Sequence, residues 1–282
     1  MYIMGIFVGF LFIYLVLTLI CFYAVHQFPR RPIVDKPDWG LVTDTKIEAL
    51  DGRKLETWQI MPEAASQGVV ILAHGWGRNR DRMVNRARLF GRLNFTSVIH
   101  SARDHGNSTP KKMMNALRFA EDIEAVIKWV DKPVILYGHS AGAAGAIIAA
   151  SRNQTAVRLL VLEACYHKTV PALLNLYQWI NPFFGRVFGP MIIFWMNFFY
   201  RDIKQIDPSR LACQLHMPVL IVHGEADHRF PKKFAYRLYK AFRSGQARLF
   251  IGKGAGHSDS SLAEGYEDAI KSFVALWDKP NI

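Results

Sequence analysis

Val134-Ile135-Leu136-Tyr137-Gly138-His139-Ser140-Ala141-Gly142 runs into Ala143-Ala144-Gly145-Ala146-Ile147-Ile148-Ala149-Ala150. The opening apolar residues read as a strand from Pro133 to Tyr137, buried on both faces. The small residues read as a helix from Ala141 to Ser151. Between them lies G-x-S-x-G, in the strand-turn-helix context that gives this pattern its meaning. A sharp turn there lifts Ser140 off the sheet, and the flanking glycines relieve the crowding that the turn creates. The helix start behind Ser140 offers backbone N–H groups and the positive end of a dipole. Ser140 is therefore the candidate nucleophile.

Outward from this turn the chain alternates between strand and helix patterns. Thr43 to Ala49 and Lys54 to Ile60 read as two strands joined at Asp51-Gly52, a hairpin signal. Gly68 to His74, Phe95 to His100, Val157 to Leu162, Pro218 to His223 and Ala247 to Ile251 read as further strands. Helices are expected at about Arg82 to Leu93, Met113 to Val130, Lys232 to Phe242 and Leu262 to Trp277. Strands alternating with helices imply a mostly parallel sheet with crossover helices. The interval from about His167 to Leu215 is too long for a single crossover and is rich in aromatic residues. It reads as an inserted cap over an apolar substrate site, with Trp195 and Phe198 expected to line the pocket. The plainer reading is a helical pair with an ordinary core.

A serine nucleophile needs a base, and the base needs an orienting acid. His257, in the glycine loop Gly254-Ala255-Gly256-His257 between the last strand and last helix, is the best base. Asp227, just beyond the strand that ends at His223, is the preferred acid. Glu163, at the end of the preceding strand, is its competitor, and Asp259 lies too close to His257 along the chain. An oxyanion needs two preorganised N–H donors. Ala141, after the nucleophile, is one. Trp76, in His74-Gly75-Trp76-Gly77, is the other, with His74 bracing that loop. No HExxH, P-loop or GxGxxG after a strand is present, so neither metal nor cofactor is expected.

The chain has 282 residues, 51% of them hydrophobic, and a mean hydropathy of +0.07. This excludes a disordered or fibrous chain and one built mainly of membrane spans. Cys21, Cys165 and Cys213 form no CxxC pair, which argues against a disulfide scaffold and fits a reducing compartment. Residues 1–29 lack Asp, Glu, Lys and Arg, and Ile3 to Val25 is long enough to span a bilayer. No basic residue precedes the run and no A-x-A-like cleavage site follows, so an anchor is favoured over a cleaved signal. Residues 1–28 are read as the transmembrane anchor, 29–40 as a proline-stiffened linker and 41–282 as the catalytic domain. Arg30, Arg31 and Lys36 follow the span, which places that domain in the cytoplasm by the positive-inside rule.

The net charge of +12 is concentrated between Trp76 and Arg118, where ten basic residues face Asp81 and Asp104. Arg82/Arg86 and Arg88/Arg92 share helix faces at i,i+4 spacing. The stretch reads as a solvated face or as a surface drawn to anionic lipid headgroups. No nucleic-acid motif accompanies it, so nucleic acid is not an expected partner. Arg103 and Asp104 read as a buried structural pair.

His74-Gly75-Trp76, Arg103-Asp104-His105-Gly106-Asn107-Ser108, Gly138-His139-Ser140-Ala141-Gly142, Gly224-x-x-Asp227 and Gly256-His257 together resemble the α/β-hydrolase fold. The likeness is to its membrane-anchored, capped lipase, esterase and thioesterase branch, from about residue 43 onward. It implies an eight-stranded sheet with the second strand antiparallel, and a Ser-Asp-His triad in that chain order. The segment around Arg103 departs from the usual Asp-x-Arg-Gly-His-Gly-x-Ser: Ser101 replaces the Asp and Asp104 the first Gly. The resulting expectation is a hydrolase of lipid-like esters or thioesters. A peptidase of the same fold and a catalytically silent membrane scaffold are the alternatives, and the oligomeric state is open.

Overall fold

The computed structural model describes residues 2–27, 30–200 and 207–277. Among these, eight strands form one sheet: β1 (Leu41–Glu48), β2 (Lys54–Met61), β3 (Gly68–Ala73), β4 (Phe95–His100), β5 (Val134–His139), β6 (Val157–Glu163), β7 (Val219–Gly224) and β8 (Ala247–Gly252). Their spatial order is β1-β2-β4-β3-β5-β6-β7-β8. Only β2 runs against its neighbours, pairing antiparallel with β1 and with β4. The remaining pairs are parallel.

The central strands β3, β5, β6 and β7 are mostly apolar because both faces of the sheet are covered there, whereas the edge strand β1 is polar and mostly exposed. Val134 and Leu136 of β5 enter one layer with α3 (Ala116–Val130), α4 (Ala141–Arg152) and α9 (Lys233–Tyr239). Ile135 and Tyr137, one residue out of phase, enter the other with α2 (Val84–Arg92) and α10 (Tyr266–Val274). Local chemistry trims two of the expected helices. Met113 has φ +61°, and Asn115 caps α3 by accepting from the Arg118 N–H, so α3 begins three residues later than its pattern suggests. Gly265 at φ +79° separates the Ser260–Leu262 turn from α10.

Between β6 and β7 lie α5 (Thr169–Ile180), α6 (Pro182–Val187), α7 (Gly189–Phe199) and α8 (Pro208–Ala212). Leu211 and Ala212 of α8 join the layer of α3 and α4, so α8 serves as the crossover and α5 to α7 are additional. The neck of the addition is tied shut. The Thr169 N–H donates to Asp207 Oδ1 at 2.7 Å, and Ser209 donates to the His167 carbonyl through its N–H and hydroxyl. The cap therefore leaves and rejoins the core at one point.

The N-terminal helix α1 (Tyr2–Val25) is, among the described residues, one helix long and apolar enough to cross a membrane, with a mean hydropathy of 2.7. Phe22 near its end packs with Tyr177, Ile192, Ile193 and Met196 of the cap. The segment after it lies along the core instead of standing off as a spacer. Arg30 donates to the Gly106 and Ser108 carbonyls, Asn79 Nδ2 donates to the Arg31 and Pro32 carbonyls, and the Val34 N–H donates to Asp81. Prolines at 32 and 37 fix φ in advance, which lowers the entropy lost on docking this extended run.

Three residues of the basic stretch depart from the solvated or lipid-facing surface expected of it. Arg80, Arg86 and Arg103 are buried. Arg80 binds Asp44 at 2.9 and 3.0 Å and lies over the Trp58 ring. Arg86 binds Glu163, and Arg103 binds Asp51, Glu121 and Asp122. Arg88 and Arg92 pair with Asp38 and Glu267. Their acids come from distant segments, which a local count of charge does not see. The expected Arg103–Asp104 pair does not form, since Asp104 faces Arg30 instead.

One crossing sets the position of the Ser140 turn. At Gly142, α4 lies so close to the end of β3 that a Cβ would sit 2.4 Å from the His74 carbonyl oxygen and 2.5 Å from that of Ala73. Gly142→Ala is expected to force α4 outward and destabilise the domain by about 1–3 kcal/mol. Urea denaturation of the variant against the parent protein checks this; an unchanged midpoint would refute the packing argument.

Candidate active site

β5 ends at His139, and the next residue, Ser140, adopts φ +55° and ψ −116°. A non-glycine residue in this region stores strain that the surroundings must hold. They do so from several sides. The Ser140 N–H donates to the Glu163 carbonyl at 2.9 Å, and its own carbonyl accepts from Ala143 and Ala144 at the start of α4. At Gly138 a Cβ would lie 2.5 Å from the Ala143 Cα, so the strand and helix can meet only where the side chain is absent.

The strained turn aims the hydroxyl at His257. Ser140 Oγ lies 2.9 Å from His257 Nε2, and His257 Nδ1 lies 2.7 Å from Asp227 Oδ2. The consistent proton placement has Nδ1–H donating to the carboxylate, leaving Nε2 to accept the serine proton. Asp227 follows β7 in a tight loop, where its second oxygen accepts from the Arg229 and Phe230 N–H groups, each at 2.9 Å. Burial pushes its carboxyl upward, but the His257 hydrogen bond and charge outweigh burial and hold it below the usual range. Asn175 of α5 donates to the carbonyls of His228 and Arg229, which links the cap to this acid loop.

The His257 loop is pinned by groups that the sequence alone did not assign to the site. His139 Nε2 meets the His257 carbonyl at 3.1 Å. Arg82 and Arg86 donate to the Ser258 carbonyl. Ser260 donates to Glu163, whose carboxylate also accepts from Arg86 and from the Tyr137 hydroxyl. Glu163, weighed as a rival acid, is thus fully engaged away from His257 Nδ1. Its signal in the sequence, a carboxylate at the end of a buried strand, was legible; its partner Arg86 was hidden among ten basic residues. Burial would raise the Glu163 carboxyl, but the Arg86 guanidinium overrides it and brings the group to about 2.

The loop after β3 closes the other side. His74 accepts the Ala102 N–H at Nε2, as a brace. The Gly77 N–H is taken up by His105 Nε2 at 3.1 Å. At Gly75, a Cβ would be 3.1 Å from the Ser140 Cβ, which places this backbone directly against the nucleophile candidate. Ala141 opens α4, and as the first residue of the helix it has no acceptor one turn earlier for its own N–H. Apolar side chains flank the site: Trp76 and Ala141 pack with Ala102, Met114 and Phe119, and the Phe230 ring stands edge-on to His257 at 5.0 Å. Trp195 and Phe198 are not part of these walls. Trp195 Nε1 donates to Thr18 of α1, and Phe198 is more than half exposed.

The Arg86–Glu163 pair predicts a stability effect. Glu163 has its folded value depressed from 4.5 to about 2, so the stabilisation is present above pH 4.5 and is lost as pH falls toward 2. Glu163→Gln leaves a buried guanidinium unpaired and is expected to cost about 3–5 kcal/mol at neutral pH. The variant should also show a shallower loss of stability in acid. Denaturant titrations from pH 7 to pH 3 check both; a variant as stable as the parent at pH 7 would refute the pairing.

A family model described as serine aminopeptidase, S33 matches residues 64–207, just over half of the chain. An uncharacterised membrane protein of Saccharomyces cerevisiae is 24% identical over 253 residues, covering 86% of this chain and 84% of the yeast protein. Monoglyceride lipase of Rattus norvegicus is 24% identical over 246 residues, covering 73% of this chain and 80% of the lipase. Among solved structures, an esterase of Pyrococcus furiosus superposes with a TM-score of 0.69 at 17% identity, over 89% of this chain and 98% of the esterase. An esterase of Exiguobacterium antarcticum gives 0.63 at 20% identity, over 83% of this chain and all of that one. Sheet order, the turn at Ser140 and the family match agree: the chain belongs to the serine aminopeptidase S33 family of α/β hydrolases.

Proposed function

We propose that this chain is a membrane-anchored serine hydrolase that cleaves lipid-like carboxylic esters or thioesters. The observation that carries the reading is the continuous relay from Ser140 Oγ through His257 to Asp227, between apolar walls and beside an apolar helix long enough to span a membrane. Ser140 Oγ attacks the substrate carbonyl as His257 Nε2 takes its proton. The Ala141 and Trp76 N–H groups hold the oxyanion of the tetrahedral intermediate. Collapse of that intermediate breaks the bond to the alcohol or thiol, which leaves with the proton from His257. Water then attacks the acyl-enzyme, giving a proton to His257, and collapse of the second tetrahedral intermediate breaks the bond to Ser140 Oγ, which takes that proton back as the free acid departs. Asp227 keeps the imidazole in the tautomer this cycle needs.

The lipid assignment draws support from the monoglyceride lipases among the relatives and from the apolar flanks of the site. The membrane assignment draws support from the apolar α1 and from the yeast membrane protein. In this reading residues 1–28 are the anchor, 29–40 a docked linker and 41–282 the catalytic domain, with α5 to α7 as its cap. Arg30, Arg31 and Lys36, which follow the span, support a cytoplasmic orientation of that domain by the positive-inside rule. The family description favours one second reading, an aminopeptidase using the same triad. Peptide and ester substrates tested side by side separate the two.

Ser140→Ala and His257→Ala are each expected to abolish turnover of a short p-nitrophenyl ester. Asp227→Asn should lose roughly 10⁴-fold. Ser140 should be labelled by a fluorophosphonate, and an unlabelled parent protein would point to the silent scaffold. Each methylene buried contributes up to roughly 0.8 kcal/mol, so octanoyl esters should exceed acetyl esters by well over tenfold in kcat/KM. A preference for acetyl esters or for peptides would remove the lipid assignment. The full chain should remain in the membrane pellet at alkaline pH, and protease added to intact cells should spare the catalytic domain; extraction or external cleavage would count against the anchor or its orientation.

A further inference from the structure

We infer that the cap is itself immersed in the bilayer, with α7 seated among the acyl chains of the leaflet next to the catalytic domain. The inference rests on the membrane-anchor reading of α1 proposed above, and follows from where along α1 the cap is attached.

At about 1.5 Å per residue, the part of α1 from Tyr2 to Ile13 is roughly 18 Å long. These residues are exposed and carry no charge. A hydrocarbon core of about 30 Å needs about 20 residues of helix. The span must therefore continue for about eight more residues, to the neighbourhood of Cys21. That is the stretch gripped by the cap. The Tyr14 hydroxyl donates to the Val187 carbonyl at 2.6 Å, and Trp195 Nε1 donates to the Thr18 hydroxyl at 3.0 Å. One helical turn on, Phe22 stacks against Phe199 with ring centroids 5.5 Å apart. If α1 crosses the bilayer, Val187 and Trp195 cannot stay outside it.

The chemistry of the interface fits that placement. In hydrocarbon every polar group must be satisfied within the protein. Val187 ends α6, where a carbonyl would lack a helical partner, and Tyr14 supplies one. Trp195 and Thr18 satisfy each other, and Thr18 also donates to the Leu15 carbonyl of its own helix. The outward face of α7 shows Phe194 and Phe198 more than half exposed, and from Thr169 to Phe199 the one charged residue is Arg186. Arg186 is exposed, so its long side chain can reach back to the headgroups. The loop that faces Ser140 abuts the end of α1, since His26, in the turn after α1, stands edge-on to Trp76 at 6.2 Å and the neighbouring Gly75 lies against Ser140. An acyl chain could then pass from the leaflet toward Ser140 without crossing bulk water.

The test uses the full chain in phosphatidylcholine nanodiscs, with Cys21 and Cys213 replaced by Ser. With Cys165 buried and left in place, one accessible cysteine per variant carries the fluorophore NBD, at Phe198→Cys or Phe194→Cys on α7, at Phe7→Cys on α1, or at Ser244→Cys in the turn before β8, at the end of the strands away from the cap. Each variant is first shown to retain fluorophosphonate labelling. Labels on α7 and at position 7 should be quenched by nitroxides on the lipid acyl chains and protected from aqueous dithionite. The label at position 244 should show the reverse. An α7 label that reacts with dithionite while the position 7 label stays quenched would overturn the immersion and leave the anchor standing. An unquenched label at position 7 would instead remove the anchor, and this inference with it. An α7 label shielded from both reagents would mean that protein, such as a second copy of this chain, covers the face, and would also overturn it.

Discussion

Glu163 is fully buried, and Arg86, which meets its carboxylate with two N–H groups, holds that carboxyl below the usual range against the cost of burial. The pair ties α2 to the end of β6. From there the network spreads through the Tyr137 hydroxyl to Tyr266 of α10, and through Ser260 to the loop that carries His257. The backbone of the same residue also receives the Ser140 N–H. One residue thus touches the Ser140 turn with its main chain and the His257 loop with its side chain. An isolated charge in this interior would be costly, so each partner is needed to justify the other. The relative placement of Ser140 and His257 follows from that mutual dependence.

The remaining freedom of the site is removed by backbone groups. Asp227 spends one oxygen on the N–H groups of Arg229 and Phe230, and the other on His257. His105 turns Gly77 and thereby shapes the loop that faces Ser140. The triad candidates come from three loops, but each loop is anchored to the sheet or to its covering helices. Asn175 adds the cap to this set by tying α5 to the loop that carries Asp227.

Much of this was legible in the residues. The apolar runs around Val134, Val70 and Leu220 gave the parallel strands, and the glycines around Ser140 marked the turn. The order of Ser140, Asp227 and His257 gave the candidate relay before any geometry was known. Partnerships between distant segments were not legible. Arg80, Arg86 and Arg103 looked like part of a basic face because Asp44, Glu163 and Asp122 lie 36, 77 and 19 positions away. Periodicity also could not say which side of a cap helix faces the site. Trp195 and Phe198 fit a pocket by composition, whereas the packing of α1 turns one toward that helix and leaves the other outside.

The departure from the usual pattern around Arg103 has a physical account. Asp104 stands where glycine is common and keeps the left-handed turn, with φ +64°. Gly106 keeps its place at φ +50°, because a Cβ there would meet Glu56 Oε1 at 2.0 Å. Glu56 receives hydrogen bonds from the Ser101 hydroxyl and the Asn107 N–H, so a carboxylate from β2 works beside the smaller Ser101. The Asp104 side chain in turn points to Arg30 at 3.4 Å. That ion pair is partly exposed and is worth little by itself, on the order of 0–1 kcal/mol. Arg30 also holds the Gly106 and Ser108 carbonyls, which together make the firmer grip. The altered loop is therefore the place where the chain leaving α1 is fastened to the core. Its departure from the common pattern coincides with a contact that a domain without this N-terminal segment would lack.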